Sequence, residues 1–125
     1  MPTRVVLIED NDVFRQALEL LLELRGDIEI VASEEHGERA VELCKVHEPD
    51  VILLDYRLPG LDGVQIARLV RDECPEVAVV VLTAAAQERE IEALLDQGAV
   101  ACVGKDEPLD VIIEAIRRAA AVETG

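Results

Sequence analysis

Val51-Ile52-Leu53-Leu54-Asp55-Tyr56-Arg57-Leu58-Pro59-Gly60 decides how this chain is read. Four apolar residues run without a polar break, which suits a strand buried on both faces. An aspartate ends the run, and Pro59-Gly60 then forces a turn. A carboxylate at the carboxyl end of a buried parallel strand stands where open α/β sheets bind ligands. The duller role for such a residue is to cap the next helix. Asp62, with Gln65 three residues on, already offers a capping box for that helix. Asp55 is therefore free for chemistry.

Working outward, Val5-Val6-Leu7-Ile8 is a second run of the same kind, and it ends in Glu9, Asp10 and, after Asn11, Asp12. Phe14, Ala17, Leu18, Leu21 and Leu24 or Arg25 then recur at helical spacing, with Gly26 as the stop. Ile28, Ile30 and Ala32 alternate with Asp27, Glu29 and Val31, the pattern of an edge strand. Ala40, Leu43 or Cys44, and His47 mark one face of a second helix, which ends before Pro49. Beyond Asp55, a third helix presents Val64, Ala67, Val70 and Cys74 to the core and stops at Pro75. Val77 to Leu82 forms a fourth strand ending at Thr83. Ile91, Leu94 and Leu95 are a thin stripe on a fourth, more exposed helix, which Gly98 stops. Ala99 to Val103 is a short fifth strand with Lys105 close behind, and Leu109, Ile112, Ile113 and Ile116 line the last helix. Alternation on this scale predicts an α/β, doubly wound fold: five parallel strands with five helices on both faces. One domain is expected over residues 1–121, with 122–125 as a tail or the start of a linker. Ala119 to Gly125 are expected to fray or to begin that linker.

Composition narrows the function. The 125 residues include 12 Lys and Arg against 27 Asp and Glu, a net charge of −15, so phosphate backbones are repelled and this segment should not bind nucleic acid directly. Phe14 and Tyr56 are the sole aromatics, too few for a base-stacking platform. Cys44, Cys74 and Cys102 are widely spaced and form no metal-ligand pair, which points to reduced thiols in or near the core. With neither a signal peptide nor a run of membrane-spanning length, a cytoplasmic protein is expected. His36 and His47 read as surface or helix-packing residues, and Tyr56 as a packing residue pointing away from Asp55.

The residues just after the strands share a pattern. Strand one leads to Glu9 and Asp10, strand three ends in Asp55, strand four in Thr83, and Lys105 follows strand five. In a parallel sheet these carboxyl ends lie on one edge, so all five residues can converge. Three carboxylates repel one another unless a divalent cation or a lysine neutralises them, and oxygen ligands suit Mg²⁺. Such a set suits phosphoryl transfer onto Asp55, with Mg²⁺ and Lys105 stabilising phosphoryl oxygens and Thr83 donating a hydrogen bond. Each residue alone has a plainer explanation, as a cap, a strand end or a solvated cation. Accidents at four strand ends are less probable than one shared site.

With these residues in view, the chain resembles the receiver domains of two-component response regulators from about Arg4 to about Ala120. The motifs are Ile8-Glu9-Asp10, Leu54-Asp55-Tyr56-Arg57-Leu58-Pro59-Gly60-Leu61-Asp62-Gly63, Leu82-Thr83-Ala84 and Lys105. The resemblance implies strand order 2-1-3-4-5 and a phosphoryl group accepted on Asp55 from a histidine kinase or phosphotransfer protein. It implies Mg²⁺ held by Asp10, Asp55 and the backbone carbonyl of Arg57, with Glu9 nearby through water. It also implies catalysis only of the chain's own phosphorylation and dephosphorylation, and a switch in partner or output interactions, with a phosphorylation-dependent homodimer among the outcomes. Two positions depart from the common pattern. Asp106 rather than Pro follows Lys105, which argues against a cis peptide there. Lys-Asp resembles the branch whose members carry a C-terminal helix-turn-helix output domain, absent from this chain. Cys102 stands where the family usually has an aromatic or His switch residue.

Three other functions fit less well. A haloacid dehalogenase type of enzyme needs a second Asp two residues after the nucleophile, where Arg57 stands. A flavin binder needs a phosphate loop after strand one, where Glu9-Asp10-Asn11-Asp12 would repel phosphate. A pure interaction module would have no need of the full acidic set with Thr83 and Lys105.

Overall fold

A computed structural model describes residues 2–58, 61–84 and 88–124, and only the backbone at 58, 61, 62, 90 and 122–124. Its main sheet has five parallel strands: β1 (Thr3–Ile8), β2 (Ile28–Glu34), β3 (Val51–Asp55), β4 (Ala78–Thr83) and β5 (Ala99–Gly104). Their order is β2-β1-β3-β4-β5, the order the resemblance implies, in a parallel sheet of the kind expected from the alternation. The helices are α1 (Asp12–Glu23), α2 (Ala40–His47), α3 (Gly63–Glu73), α4 (Glu88–Asp96) and α5 (Leu109–Thr124).

The central strand shows why an unbroken apolar run was needed. All five residues of β3 are buried. Ile52 and Leu54 join the core beneath α2, α3 and α4, whereas Val51 and Leu53 join the core beneath α1 and α5. Both faces are covered, so neither can carry polar residues. Each such side chain contributes about 1.5–3 kcal/mol through burial, and Leu53→Ala would cost about 3 kcal/mol with its cavity.

Four local readings change in the structure. On α1 the buried residues are Leu18 and Leu22, with Phe14 half-buried, while Ala17, Leu21 and Leu24 face outward. Leucines at 18, 20, 21, 22 and 24 satisfy more than one helical face, so spacing alone could not choose between them. On β2 the register slips between Val5↔Ile30 and Val6↔Ala32, which inserts Val31 as an extra residue. Ile30 therefore packs on the α1 and α5 side, and Ala32 on the other. Both Leu43 and Cys44 of α2 are buried. Finally, α5 continues to Thr124 with Ala119 buried, so the helix does not fray from Ala119.

After β3 the chain makes a two-residue antiparallel ribbon, Arg57–Leu58 against Leu61–Asp62, which periodicity could not reveal. Pro59 and Gly60, expected to turn there, lie outside the described residues, as does the Asp62 side chain expected to cap α3. Gly63 opens α3 because its backbone passes Tyr56 closely: a Cβ there would sit 2.9 Å from Tyr56 Cα. Its N–H donates to the Tyr56 carbonyl at 2.8 Å. No described peptide bond is cis, and no helix among the described residues is long and apolar enough to cross a membrane.

Candidate functional site

The carboxyl edge of the sheet gathers the residues named from the sequence. Register places Asp55 opposite Leu82 and Thr83 opposite Gly104. The Lys105 N–H donates to the Thr83 carbonyl at 2.8 Å, and the Tyr56 N–H to the Leu82 carbonyl at 2.8 Å. These bonds carry the ladder past the strand ends and fix where Asp55, Thr83 and Lys105 start. Tyr56 packs into the core under α2 and α3, on the face opposite Asp55, as strand alternation requires.

Glu9, Asp10 and Asp55 each place a carboxylate oxygen within 4.8 Å of the other two. Asp10 is exposed, Asp55 is 3% exposed, and Glu9 is fully buried. The Lys105 ammonium lies 2.7 Å from Glu9 Oε1 and 3.2 Å from Asp55 Oδ2. The approach to Glu9 Oε1 is not aligned as a hydrogen bond, so that buried oxygen is neutralised but poorly satisfied. Its partner Oε2 accepts the Asn11 N–H at 3.0 Å. Asp55 Oδ1 accepts the Arg57 N–H at 3.3 Å. Glu9 thus stands in direct contact with the lysine, a closer role than the resemblance implied.

One lysine faces three carboxylates, and the imbalance registers on Asp55. Burial and then the neighbouring Glu9 carboxylate push its carboxyl up from 3.8 to about 7, against the pull of Lys105. Burial lowers the Lys105 pKa, but Glu9 and Asp55 outweigh it and the net shift is upward. The Thr83 hydroxyl is buried and finds no hydrogen-bond partner among the described residues. A buried hydroxyl left this way costs about 1–3 kcal/mol, which suits a group kept for something that binds.

Sequence reasoning missed three supports. Asn11, not Glu9 or Asp10, caps α1: its Oδ1 accepts the Phe14 N–H at 2.9 Å. Arg15 donates to the Glu9 carbonyl at 2.9 Å and pairs with Asp12 at 2.7 Å. Phe14 lies with its ring centroid 5.0 Å from the Lys105 ammonium, within cation–π range. The N-cap Asn before an apolar stripe was a legible signal; the other two needed the fold. A cleft lined by Asn11, Phe14, Ala84, Lys105 and Asp106 opens beside the ammonium.

Glu34 at the end of β2 shows the contrast on the same edge. Its carboxylate accepts the Glu35 N–H at 2.8 Å and the His36 N–H at 3.0 Å, and pairs with Arg39 at 2.9 Å. Burial opposes ionisation, but these bonds outweigh it and hold the carboxyl below its ordinary value. His36 is exposed beside Glu34, and His47 is half-buried, so neither enters the acidic site. Cys102 is half-buried against the α2, α3 and α4 core, where burial pushes its thiol up.

Known proteins are similar to this chain in sequence and fold. The chain matches the response regulator receiver domain family over residues 5–117. It is 37% identical over 113 residues, 90% of its length, to the probable transcriptional regulatory protein NarL of Mycobacterium tuberculosis, of which that region is 52%. It is 35% identical over 114 residues to the transcriptional regulatory protein DegU of Brevibacillus brevis, covering 91% of this chain and 48% of that one. The chain therefore spans about half the length of the curated relatives it matches. The signal receiver domain of the putative response regulator NarL from Mycobacterium tuberculosis superimposes with a TM-score of 0.90 at 37% identity, covering 96% of this chain and 97% of that one. A DNA-binding response regulator of the LuxR family from Staphylococcus aureus gives 0.87 at 27% identity, covering 94% and 98%. Five strands ordered 2-1-3-4-5, an acidic set facing a lysine on their carboxyl edge, and a match across nearly the whole chain place it in the response regulator receiver domain family of two-component systems.

Proposed function

We propose that Asp55 is the phosphoacceptor, taking a phosphoryl group from a phosphohistidine on a histidine kinase or phosphotransfer protein. The observation that carries this is Asp55 itself: a buried carboxyl at the end of β3, clustered with Glu9 and Asp10 and 3.2 Å from the Lys105 ammonium. In the transfer an Asp55 oxygen forms a bond to phosphorus as the phosphorus–nitrogen bond breaks, and the freed imidazole takes a proton from solvent. Lys105 stabilises charge on the transferred group. The Thr83 hydroxyl, without a hydrogen-bond partner among the described residues, would donate to a phosphoryl oxygen.

The acidic trio fits a divalent cation. Its donors are hard carboxylate oxygens within 4.8 Å of one another, and Lys105 alone leaves the set negative. Asp10, Asp55 and the Arg57 carbonyl would hold Mg²⁺, with Glu9 behind them. When bound, Mg²⁺ supplies charge neutralisation for the incoming phosphoryl oxygens. The chain catalyses only its own phosphorylation and slow dephosphorylation. Its output is a changed affinity for a partner: a C-terminal DNA-binding domain, in keeping with its similarity to a DNA-binding response regulator, or a second copy. Cys102 has no ring to swing, so the change travels through the segment after Thr83 and through α4, where Leu94 is fully buried but Leu95 is 46% exposed.

The test is intact-mass measurement after incubation with acetyl phosphate and Mg²⁺. One added phosphoryl group is expected on the wild type and none on Asp55→Asn. Equal loading of the two proteins would refute the assignment.

A further inference from the structure

We propose that Cys44 and Cys74 form a redox-modifiable pair that closes as an intramolecular disulfide, stapling the end of α2 to the end of α3. Three observations bring the thiols together. Cys74 Sγ lies 3.9 Å from the carbonyl oxygen of Val41, on α2 one turn before Cys44. Lys45, which follows Cys44, pairs with Glu73, which precedes Cys74, at 3.0 Å. Both cysteines line one surface cleft, with Lys45, Glu48, Pro49 and Glu73 around them. The sulfurs are near enough that each alters the other's ionisation. Both belong to the same core cluster, at 2% and 5% exposure.

The order of reaction follows from the surroundings. Burial pushes the Cys44 thiol up to about 12, and Cys74 adds to this. Burial raises the Cys74 thiol too, the Lys45 ammonium opposes this and Glu73 and Glu76 add to it, with a net shift upward. Cys74, less enclosed than Cys44 at 5% against 2% exposure and lying in the cleft with Lys45, is the attacking thiol. With a low-molecular-weight disulfide as oxidant, the Cys74 thiolate forms a mixed disulfide and releases one thiolate. Cys44 then attacks the Cys74 sulfur, its proton passing to the second departing thiolate. Two protein thiols become one disulfide, and the oxidant is reduced to two thiols. Cys102, on β5, sits apart from this cleft and stays reduced.

Native full-length chain is treated with oxidised glutathione or diamide, quenched in acid, denatured and alkylated. The expected result is a fall from three alkylated thiols to one, on Cys102. Non-reducing peptide mapping should recover the Cys44 peptide joined to the Cys74 peptide. The melting midpoint should rise on the order of 10 °C and return on reduction. Cys102→Ser should give the same bond, and Cys74→Ala none. Should Cys74→Ala not fold, the wild-type map decides alone. Three labels retained after oxidation, a bond to Cys102, or cross-linked chains would overturn the proposal.

Discussion

The two edges of the one sheet treat the same side chain in opposite ways. At the amino edge, Asp27 before β2 meets the Arg117 guanidinium through two contacts of 2.8 and 3.2 Å, which hold its carboxyl below the ordinary range. Asp50 before β3 accepts the Arg4 N–H at 2.9 Å. These charges have local partners and face water. At the carboxyl edge, Asp55 shares one ammonium with Glu9 beside a third carboxylate, and its carboxyl rises to about 7. One edge is built for stability. The other holds charge that a ligand can relieve, as active sites do.

The comparison breaks most visibly at Lys105. Lys105→Met removes the cation from two buried carboxylates, and an uncompensated buried charge costs about 3–5 kcal/mol. Urea unfolding of metal-free protein at pH 8 should show that loss. It should shrink as pH falls and the carboxyls take up protons.

Asp55→Asn should act in the opposite direction. A folded-state value raised from 3.8 to about 7 means the native state binds the proton more tightly than the unfolded chain. The stability present below pH 4 is then lost as pH rises toward 7. The variant escapes that loss, so it should be more stable than the wild type by about 2–4 kcal/mol above pH 7, at 1.36 kcal/mol per unit. The advantage should vanish near pH 4. Paired melts across pH 4–8 in a chelator would show it.

The contrast between edges is itself legible only in part from sequence. The strand runs Val5 to Ile8 and Val51 to Leu54 fixed the sheet, because burial on both faces leaves no other pattern. Their polar sequels named the site, because parallel strands bring their carboxyl ends together. Two things stayed hidden. The face of α1 was ambiguous because its leucines are too many, and Leu22 rather than Leu21 won by packing. The cation–π contact of Phe14 and the pairing of Asp27 with Arg117 join residues far apart in the chain, and no spacing rule encodes them.

A smaller effect sharpens the picture. Saturating Mg²⁺ should raise the melting midpoint of the wild type, by about 1.4 kcal/mol of stability at ten times the dissociation constant. Asp10→Asn should be more stable than the wild type without metal and lose most of the metal-dependent shift. At the amino edge, Arg117→Gln should have the smallest consequence. Its loss should appear only above the unfolded value of Asp27, fade as pH falls through the lowered folded value, and disappear in molar salt.

The most direct test of stored charge at the carboxyl edge is a carbon-detected NMR titration of the Asp55 carboxyl, with Asp27 as the internal reference. In metal-free protein Asp55 should titrate near 7 and Asp27 below the ordinary aspartate range. Added Mg²⁺ should move Asp55 down and leave Asp27 unchanged. An Asp55 carboxyl that titrates near 4 without metal, alongside Asp27, would contradict the account.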